Sequence, residues 1–207
     1  MDFITLTVGQ MQENCYLVFD NVSKDALIID PGDDADYIER IISDHSLTPK
    51  LILATHGHFD HCMAVLELKL AYKIPFFINF KDKFLIKNMS SSARHFLGID
   101  AGPPPEVDAN LIEGKSFRIG KSSLKVMETP GHTPGSVCLY DQIAKRLYTG
   151  DTLFAEGGIG RTDFKYSSQE NLVASLAKIF KLPNPTEIYP GHGRPSTLEE
   201  EKINHRF

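Results

Sequence analysis

The first half of the chain alternates between strand-like and helix-like patterns of hydrophobic residues. Short apolar runs rich in β-branched and aromatic residues predict strands at 3–8, 14–20, 25–30, 51–55 and 74–79. A helix is predicted between the third and fourth runs, with Asp33 or Asp34 as its N-cap and an apolar stripe of Tyr37, Ile38, Ile41 and Ile42. Two more helices are predicted at 65–72 and at about 81–97.

A segment rich in proline and glycine, residues 98–108, separates this half from a second one. Its three consecutive prolines cannot continue a helix, so we interpret it as a surface connection between two β-rich halves. Beyond it, apolar runs predict strands near 109–112, 116–119, 123–128, 136–140, 146–150 and 186–190.

The second half also contains an amphipathic helix, predicted over about 168–181. Ser167 and Glu170 have the spacing of a capping box at its start. Its apolar stripe consists of Leu172, Leu176, Ile179 and Phe180. A short helix is expected to close the chain.

The two halves resemble each other weakly. Residues 15–32 and 137–151 both show a strand, a polar turn, a second strand and then an acidic residue beside a glycine. This repetition predicts a duplicated β-rich unit with helices outside two sheets, within a single domain that covers residues 1–207.

Composition excludes several classes of protein. The net charge of −5 and the pI near 5.9 provide no basic surface for nucleic acid. No basic N-terminal region suggests a signal peptide and no apolar run is long enough for a membrane span, so we expect no membrane partner and a cytoplasmic protein. Three cysteines without CxxC spacing argue against a disulfide framework.

Candidate metal ligands lie where predicted strands end. The segment THGHFDH contains His56, His58, Asp60 and His61, directly after the strand at 51–55. Three later glycine-containing turns each present one more potential ligand: His132, Asp151 and His192. The remaining histidines lack this context, and we interpret them as surface residues: His45, His95 and His205.

Seven ligands are more than one catalytic zinc ion uses, because such an ion takes three protein ligands and keeps one position open. The set suits two ions that share one carboxylate. Alternate residues of an extended segment project the same way, so His56 and His58 are expected to bind one ion. Asp60 and His61 are expected to face the other.

The motifs THGHFDH, PGHTPGS, GDTLF and PGHG, in this order, resemble the metallo-β-lactamase superfamily, and most closely its glyoxalase II (hydroxyacylglutathione hydrolase) branch. The resemblance implies an α/β (α+β) fold, a four-layer αββα sandwich with the metals at one edge. It implies that one ion is bound by His56, His58 and His132, and the other by Asp60, His61 and His192. Asp151 would bridge two Zn²⁺ ions, with iron as an alternative in one or both sites.

Two adjacent ions would lower the pKa of a bound water from 15.7 towards about 7, which supplies hydroxide as the nucleophile. Asp60 can orient this hydroxide and is the candidate catalytic residue. The chemistry predicts hydrolysis of an activated acyl bond and leaves thioester, lactone, lactam and phosphodiester open. Cys62 adjoins the site, and we interpret it as a small buried apolar residue.

Substrate recognition must come from other residues. Arg161, in GGIGRTDF (157–164), falls where the longer glyoxalase II enzymes have a basic residue that contacts a glutathione carboxylate. The alternative is an ion pair with Asp163 or a bond to a loop carbonyl. The chain also departs from the family. HCMAV replaces the usual glycine pair after the first motif, and no C-terminal helical glutathione-binding domain is expected after His192.

The leading hypothesis is a hydrolase of S-lactoylglutathione or a related small-molecule acyl thioester. A mononuclear-iron persulfide dioxygenase on the same fold is the main alternative, because it needs only a subset of these ligands. A lactonase and a non-catalytic metal-binding module also remain open. The lack of an export signal disfavours a β-lactamase.

Overall fold

The first sheet follows the order of the chain. In the computed structural model, which describes residues 1–205, six strands lie side by side in sequence order. The first three pair antiparallel and the last four pair parallel. They are β1 (Asp2–Val8), β2 (Glu13–Phe19), β3 (Asp25–Ile29), β4 (Thr48–Leu53), β5 (Phe76–Ile78) and β6 (Ala109–Asn110).

The second sheet also has six strands in sequence order and is mixed. Its one parallel pair, β10 with β11, lies between antiparallel pairs. The strands are β7 (Ser116–Ile119), β8 (Ser122–Glu128), β9 (Val137–Asp141), β10 (Arg146–Gly150), β11 (Glu187–Pro190) and β12 (Ser196–Thr197). The chain therefore passes between the sheets just after 98–108, between residues 110 and 116.

Six α-helices accompany the sheets in the described part of the chain. Four follow strands of the first sheet, and two belong to the second. They are α1 (Ala35–Asp44), α2 (Val65–Tyr72), α3 (Lys83–Lys87), α4 (Met89–Leu97), α5 (Gln169–Ile179) and α6 (Leu198–Asn204). None of the helices in residues 1–205 is long and apolar enough to cross a membrane.

Successive side chains of a strand point to opposite faces of its sheet, and each face packs against a different layer. In β2, Leu17 packs into a core shared with α1, α2 and α4, whereas Val18 packs between the two sheets. In β9, Leu139 faces the space between the sheets and Cys138 faces a third core with α5 and α6. Because β2 and β9 are buried on both faces, they appear in the sequence as continuous apolar runs. The predicted four-layer αββα sandwich is confirmed.

Several local predictions were wrong. Ser168, not Ser167, caps α5, and its hydroxyl accepts a hydrogen bond from the backbone N–H of Asn171. The Ser167 hydroxyl instead donates to the backbone carbonyl of His132. The helix predicted over 81–97 is divided into a 3₁₀ turn, α3 and α4, with a break at Asn88, a residue that competes with helical backbone bonds. The two-residue β12 was not predicted.

Candidate metal centre

The predicted ligands lie on four connections at one edge of the sandwich. The chain leaves β4 at residue 54 and forms a short 3₁₀ turn at Phe59–His61, which carries two of the ligands. The other connections follow β8, β10 and β11. The structure brings together all seven predicted residues, which we call the metal centre: His56, His58, Asp60, His61, His132, Asp151 and His192.

Four residues form the first ligand group of the metal centre. The Nδ1 atom of His58 lies 3.0 Å from Nε2 of His56 and 3.0 Å from Nε2 of His132. Oδ2 of Asp151 lies 3.6 Å from Nε2 of His132. Ligand atoms of these four residues all lie within 4.8 Å of one another, a spacing that a single ion can span.

The second ligand group adjoins the first. Nε2 of His192 lies 3.4 Å from Oδ2 of Asp60, and Nε2 of His61 lies 3.4 Å from Oδ1 of Asp151. The two oxygens of Asp151 therefore point to different groups, as the predicted bridging role requires. Oδ1 of Asp151 and Nε2 of His61 are buried without a hydrogen bond. Buried polar atoms without partners are costly, and a cation would satisfy them.

In each imidazole, one ring nitrogen faces away from the other ligands, and its hydrogen-bond partner shows how the ring is oriented. Nδ1 of His132 lies 2.9 Å from the carbonyl oxygen of Arg161, and Nδ1 of His192 lies 3.2 Å from that of Met11. A carbonyl only accepts, so each Nδ1 carries the proton and each Nε2 directs a lone pair into the centre. This arrangement is typical of metal-binding histidines.

The remaining imidazoles have polar partners of the same kind. Nδ1 of His56 contacts the Thr55 hydroxyl, which itself donates to Asp30 at 2.6 Å. Nε2 of His58 lies 2.9 Å from the Tyr166 hydroxyl. Nδ1 of His61 lies 3.2 Å from Oδ2 of Asp30. The donor set thus fits divalent metal ions, and the cluster is a divalent metal site.

Burial and neighbouring charges set the proton affinities at the centre. Burial, followed by the neighbouring histidines, lowers the pKa of His56 far below its ordinary value and that of His58 to about 3. Burial opposes ionisation of Asp151, but His61 and the other nearby histidines hold its pKa well below its usual range. Neutral imidazoles and an ionised carboxylate are the forms that bind metal. For His61 and His192, burial opposes protonation, but the adjacent carboxylates outweigh it and raise the pKa, so these two imidazoles must release protons when metal binds.

Three acidic residues that support the centre were missed by the sequence analysis. Asp30, at the end of β3, accepts hydrogen bonds from the backbone and hydroxyl of Thr55. Oε1 of Glu13 lies 3.5 Å from Nδ1 of His61, and burial raises the pKa of this carboxyl. One signal could have found Asp30, because the internal repetition places it where the second half has Asp151.

The third missed residue, Asp82, connects two of the ligand-bearing connections. Its Oδ2 accepts hydrogen bonds from the Gly57 backbone at 2.9 Å and from the Thr133 hydroxyl at 2.6 Å. Its Oδ1 accepts from the Gly135 backbone at 2.7 Å. Gly57 lies between His56 and His58, and Thr133 follows His132. Asp82 therefore fixes the relative positions of these three ligands.

An open cavity lies directly above the metal centre. Its walls include ligands of both groups together with apolar residues from three other segments. Arg161 also lines it, but its guanidinium donates to Asp163 through Nε at 2.7 Å and through Nη2 at 2.6 Å. The side chain therefore makes the ion pair that was the alternative to substrate contact.

The HCMAV segment does not reach this cavity. Cys62 is fully buried, in agreement with its interpretation as a small apolar residue, and its thiol donates to the His56 carbonyl. Met63 packs against the core under α1 and α2, and the buried Ala64 precedes α2. The bulkier side chains are thus accommodated in the core, and none of them lines the cavity.

Comparisons with known proteins agree with this geometry. The chain is 35% identical to hydroxyacylglutathione hydrolase GloC of Haemophilus influenzae over all of this chain and 98% of GloC. The crystal structure of the B3 metallo-β-lactamase BLEG-1 has a TM-score of 0.90 at 34% identity and covers 98% of this chain and 97% of its own. The di-iron-bound form of TTHA1623 has a TM-score of 0.87 at 34% identity, with 97% and 96% covered.

A family model extends the agreement to most of the chain. The metallo-β-lactamase superfamily model matches residues 8–192, a range that starts in β1 and ends at the last predicted ligand. The matched range contains all four ligand-bearing connections. With its fold, its ligand groups and its relatives in agreement, this chain belongs to the metallo-β-lactamase superfamily.

Proposed function

We propose that this protein is a binuclear-metal hydrolase of acyl thioesters, of the glyoxalase II type. The observation that carries the proposal is the pair of adjacent ligand groups, with the two oxygens of Asp151 directed one to each. A structural zinc ion has a closed set of four ligands, whereas this cluster lies open to a cavity at its surface. An open position is what a reacting water and a substrate need.

Different residues of the chain have different roles in this reaction. Divalent ions held by the two ligand groups would supply Lewis acidity and would make a water nucleophilic at neutral pH. The Asp60 carboxylate, next to His192 and lining the cavity, orients the attacking oxygen. That oxygen forms a bond to the acyl carbon and the C–S bond breaks. The sulfur leaves with the electron pair as a thiolate and then takes a proton from water.

The comparison with GloC supports a thioester substrate, because that relative is named as a hydroxyacylglutathione hydrolase and matches along the whole chain. The superfamily also supports hydrolysis in general. Zinc is the proposed metal. Iron is the alternative, because TTHA1623 has been crystallised in a di-iron-bound form.

Metal content and thioester turnover test the proposal together. We expect about two metal ions per chain by elemental analysis and hydrolysis of S-lactoylglutathione by the metal-loaded protein. About one iron per chain, with oxygen consumed in the presence of glutathione persulfide, would instead establish the dioxygenase. Turnover of lactones or β-lactams without thioester turnover would also contradict the proposal.

Replacing Asp60 tests its role in the reaction. Asp60→Asn keeps the shape and removes the charge, so we expect kcat/KM to fall at least about 100-fold. The matched control is Asp44→Asn, at the exposed end of α1, which should leave turnover unchanged. If Asp60→Asn keeps its metal and its full turnover, the proposed mechanism is wrong.

A further inference from the structure

The wall of the cavity above the metal centre is largely aromatic. Phe59 and Phe96 form a stacked pair, with ring centroids 5.8 Å apart and an angle of 9° between the rings. Phe164 and Tyr166 form a second stacked pair, at 5.2 Å and 13°. All four residues line the cavity. One pair comes from the 3₁₀ turn and α4, and the other comes from the connection after β10.

Part of this apolar surface is exposed at the cavity mouth. Phe96 is 51% exposed and Met11, on the turn between β1 and β2, is 41% exposed, and both line the cavity. The Phe164 ring also contacts His58, at 5.3 Å between centroids. The aromatic surface therefore extends from the first ligand group out to the solvent. Exposed apolar surface beside polar groups is typical of a ligand-binding site.

Charge at the mouth argues against recognition of an anionic carrier. Among the described residues that line the cavity, Arg161 is the one arginine or lysine, and Asp163 already occupies its guanidinium with two hydrogen bonds. The Arg161 guanidinium also lies over the Phe164 ring, 4.4 Å from its centroid. A glutathione carboxylate would have to compete for this guanidinium with Asp163, which lies only two residues away in the chain.

From these observations we infer that the site prefers acyl thioesters whose acyl group is apolar and about the size of an aromatic ring, and that the carboxylates of the thiol carrier contribute little to binding. This inference rests on the proposed thioester hydrolysis and specifies its substrate class. The acyl group would lie against Phe164 and Phe96, next to the ions that activate its carbonyl.

The size of the cavity agrees with a single ring. The cavity is open at its mouth and has a volume of about 160 Å³, and a closed apolar cavity of about 150 Å³ in another protein holds benzene. Burying a ring-sized apolar group is worth about tenfold or more in binding.

Four thioesters separate the contributions of acyl group and carrier. Phenylacetyl and lactoyl thioesters of N-acetylcysteamine differ only in the acyl group, and the same acyl groups on glutathione add the carboxylates. Rates are divided by the base-catalysed rate of each ester to remove its intrinsic reactivity. We expect the metal-loaded protein to prefer phenylacetyl by at least about tenfold in kcat/KM and to distinguish the two carriers by less than about threefold.

Variants locate the preference on the aromatic wall. Phe96→Ala and Phe164→Ala should each reduce the phenylacetyl preference towards unity while the lactoyl thioester is still hydrolysed. The matched control is Phe80→Ala, because Phe80 is 43% exposed and lies outside the cavity lining. This control should keep the full preference. Circular dichroism and metal content show that each variant is folded and loaded.

The outcomes separate this inference from the proposal on which it rests. Hydrolysis of thioesters with a lactoyl preference, or with a strong glutathione preference, overturns the inference and leaves the proposed function standing. A phenylacetyl preference that both cavity variants retain also overturns it. No hydrolysis of any of the four thioesters by the loaded protein overturns the proposed function itself.

Discussion

Gly191 shows how closely a single residue approaches the metal centre. A Cβ atom at this position would lie 2.5 Å from Oδ1 of Asp151 and 2.6 Å from Cε1 of His61. Such distances are shorter than side chains tolerate, so an added methyl group must displace one ligand of each group. The first glycine of the PGHG motif is therefore required, because any side chain at this position would collide with the ligands.

We expect Gly191→Ala to lower the affinity for metal at least about tenfold, because ligand displacement disturbs both groups. Isothermal titration with Zn²⁺ measures the change. Gly193→Ala is the control in the same connection. Gly193 has open space around it and a φ of +79°, so alanine there strains the backbone without touching a ligand. Equal losses of affinity in the two variants would show that strain, and not displacement, is responsible.

For single residues, the sequence predicts those whose immediate neighbours form a recognisable motif and misses those without such a motif. Apart from His61, the histidines of the metal centre and Asp151 each follow a strand and stand beside a glycine, which made them recognisable. Asp82 and Glu13 have no such pattern, because their partners are distant in sequence: Gly135 lies 53 residues after Asp82. Arg161 was correctly located near the cavity, whereas its bond to Asp163 depended on a side-chain conformation that the sequence does not determine.

At the scale of elements, Asp82 acts as a connector between two turns. Its carboxylate accepts three hydrogen bonds, and an amide at this position could accept at only one atom. We expect Asp82→Asn to reduce the free energy of unfolding by about 1–3 kcal/mol and to weaken metal binding about 10- to 100-fold. Urea denaturation of the metal-free protein and titration with Zn²⁺ measure the two effects.

The matched control for this variant is Asp100→Asn. Asp100 also accepts hydrogen bonds from a hydroxyl, a backbone N–H and a further side chain, those of Ser90, Gly102 and Arg94. It is exposed and distant in sequence from every ligand. Metal affinity that falls equally in both variants would contradict a connecting role for Asp82.

Element boundaries were less predictable than the elements themselves. The apolar stripe predicts α5, but Ser167 and Ser168 are chemically identical candidates for its cap. The choice depends on the His132 carbonyl, which takes the Ser167 hydroxyl and leaves Ser168 to cap the helix. The doubly buried strands, by contrast, produce long apolar runs that are visible without tertiary information.

Glu201 links the last helix to the connection after β10. Its buried carboxylate accepts hydrogen bonds from the backbone N–H groups of Glu156 and Gly157 and from the Ser196 hydroxyl. Burial alone would raise the pKa of this carboxyl, but these bonds, beginning with that from Ser196, hold it below its ordinary value of 4.5. A carboxyl whose pKa is lowered by folding stabilises the ionised native state.

The contribution of Glu201 to the free energy of unfolding therefore decreases at acidic pH. The stabilisation by Glu201 is fully present above pH 4.5 and is lost as the pH falls through the lower pKa of the folded state. We expect Glu201→Gln to lower the free energy of unfolding by on the order of 1 kcal/mol at pH 7, and the difference from the wild type to shrink below pH 4. Denaturant titrations at several pH values measure it, and a difference that grows on acidification would refute the assignment.

At the scale of the whole molecule, the metal centre joins the two sheets. One connection with its ligands follows β4 of the first sheet, and three follow β8, β10 and β11 of the second. The backbone also crosses at this edge, where the N–H of Asn14 in β2 donates to the carbonyl of Gly191 at 2.8 Å. Ions bound here would hold both halves of the sandwich and would be released when either sheet unfolds.

Metal removal is therefore expected to destabilise the entire protein. At a free zinc concentration 100 times the dissociation constant, binding at each site adds about 2.7 kcal/mol to stability. Two such sites together are expected to raise Tm by about 10–20 °C for a chain of this size. Thermal scans of the chelated and reconstituted protein by near-ultraviolet circular dichroism measure the shift. Because the two sheets share one apolar core, the chelated protein should still unfold in one transition. An unchanged Tm after reconstitution to two zinc ions per chain would contradict selective binding of the ions to the folded protein.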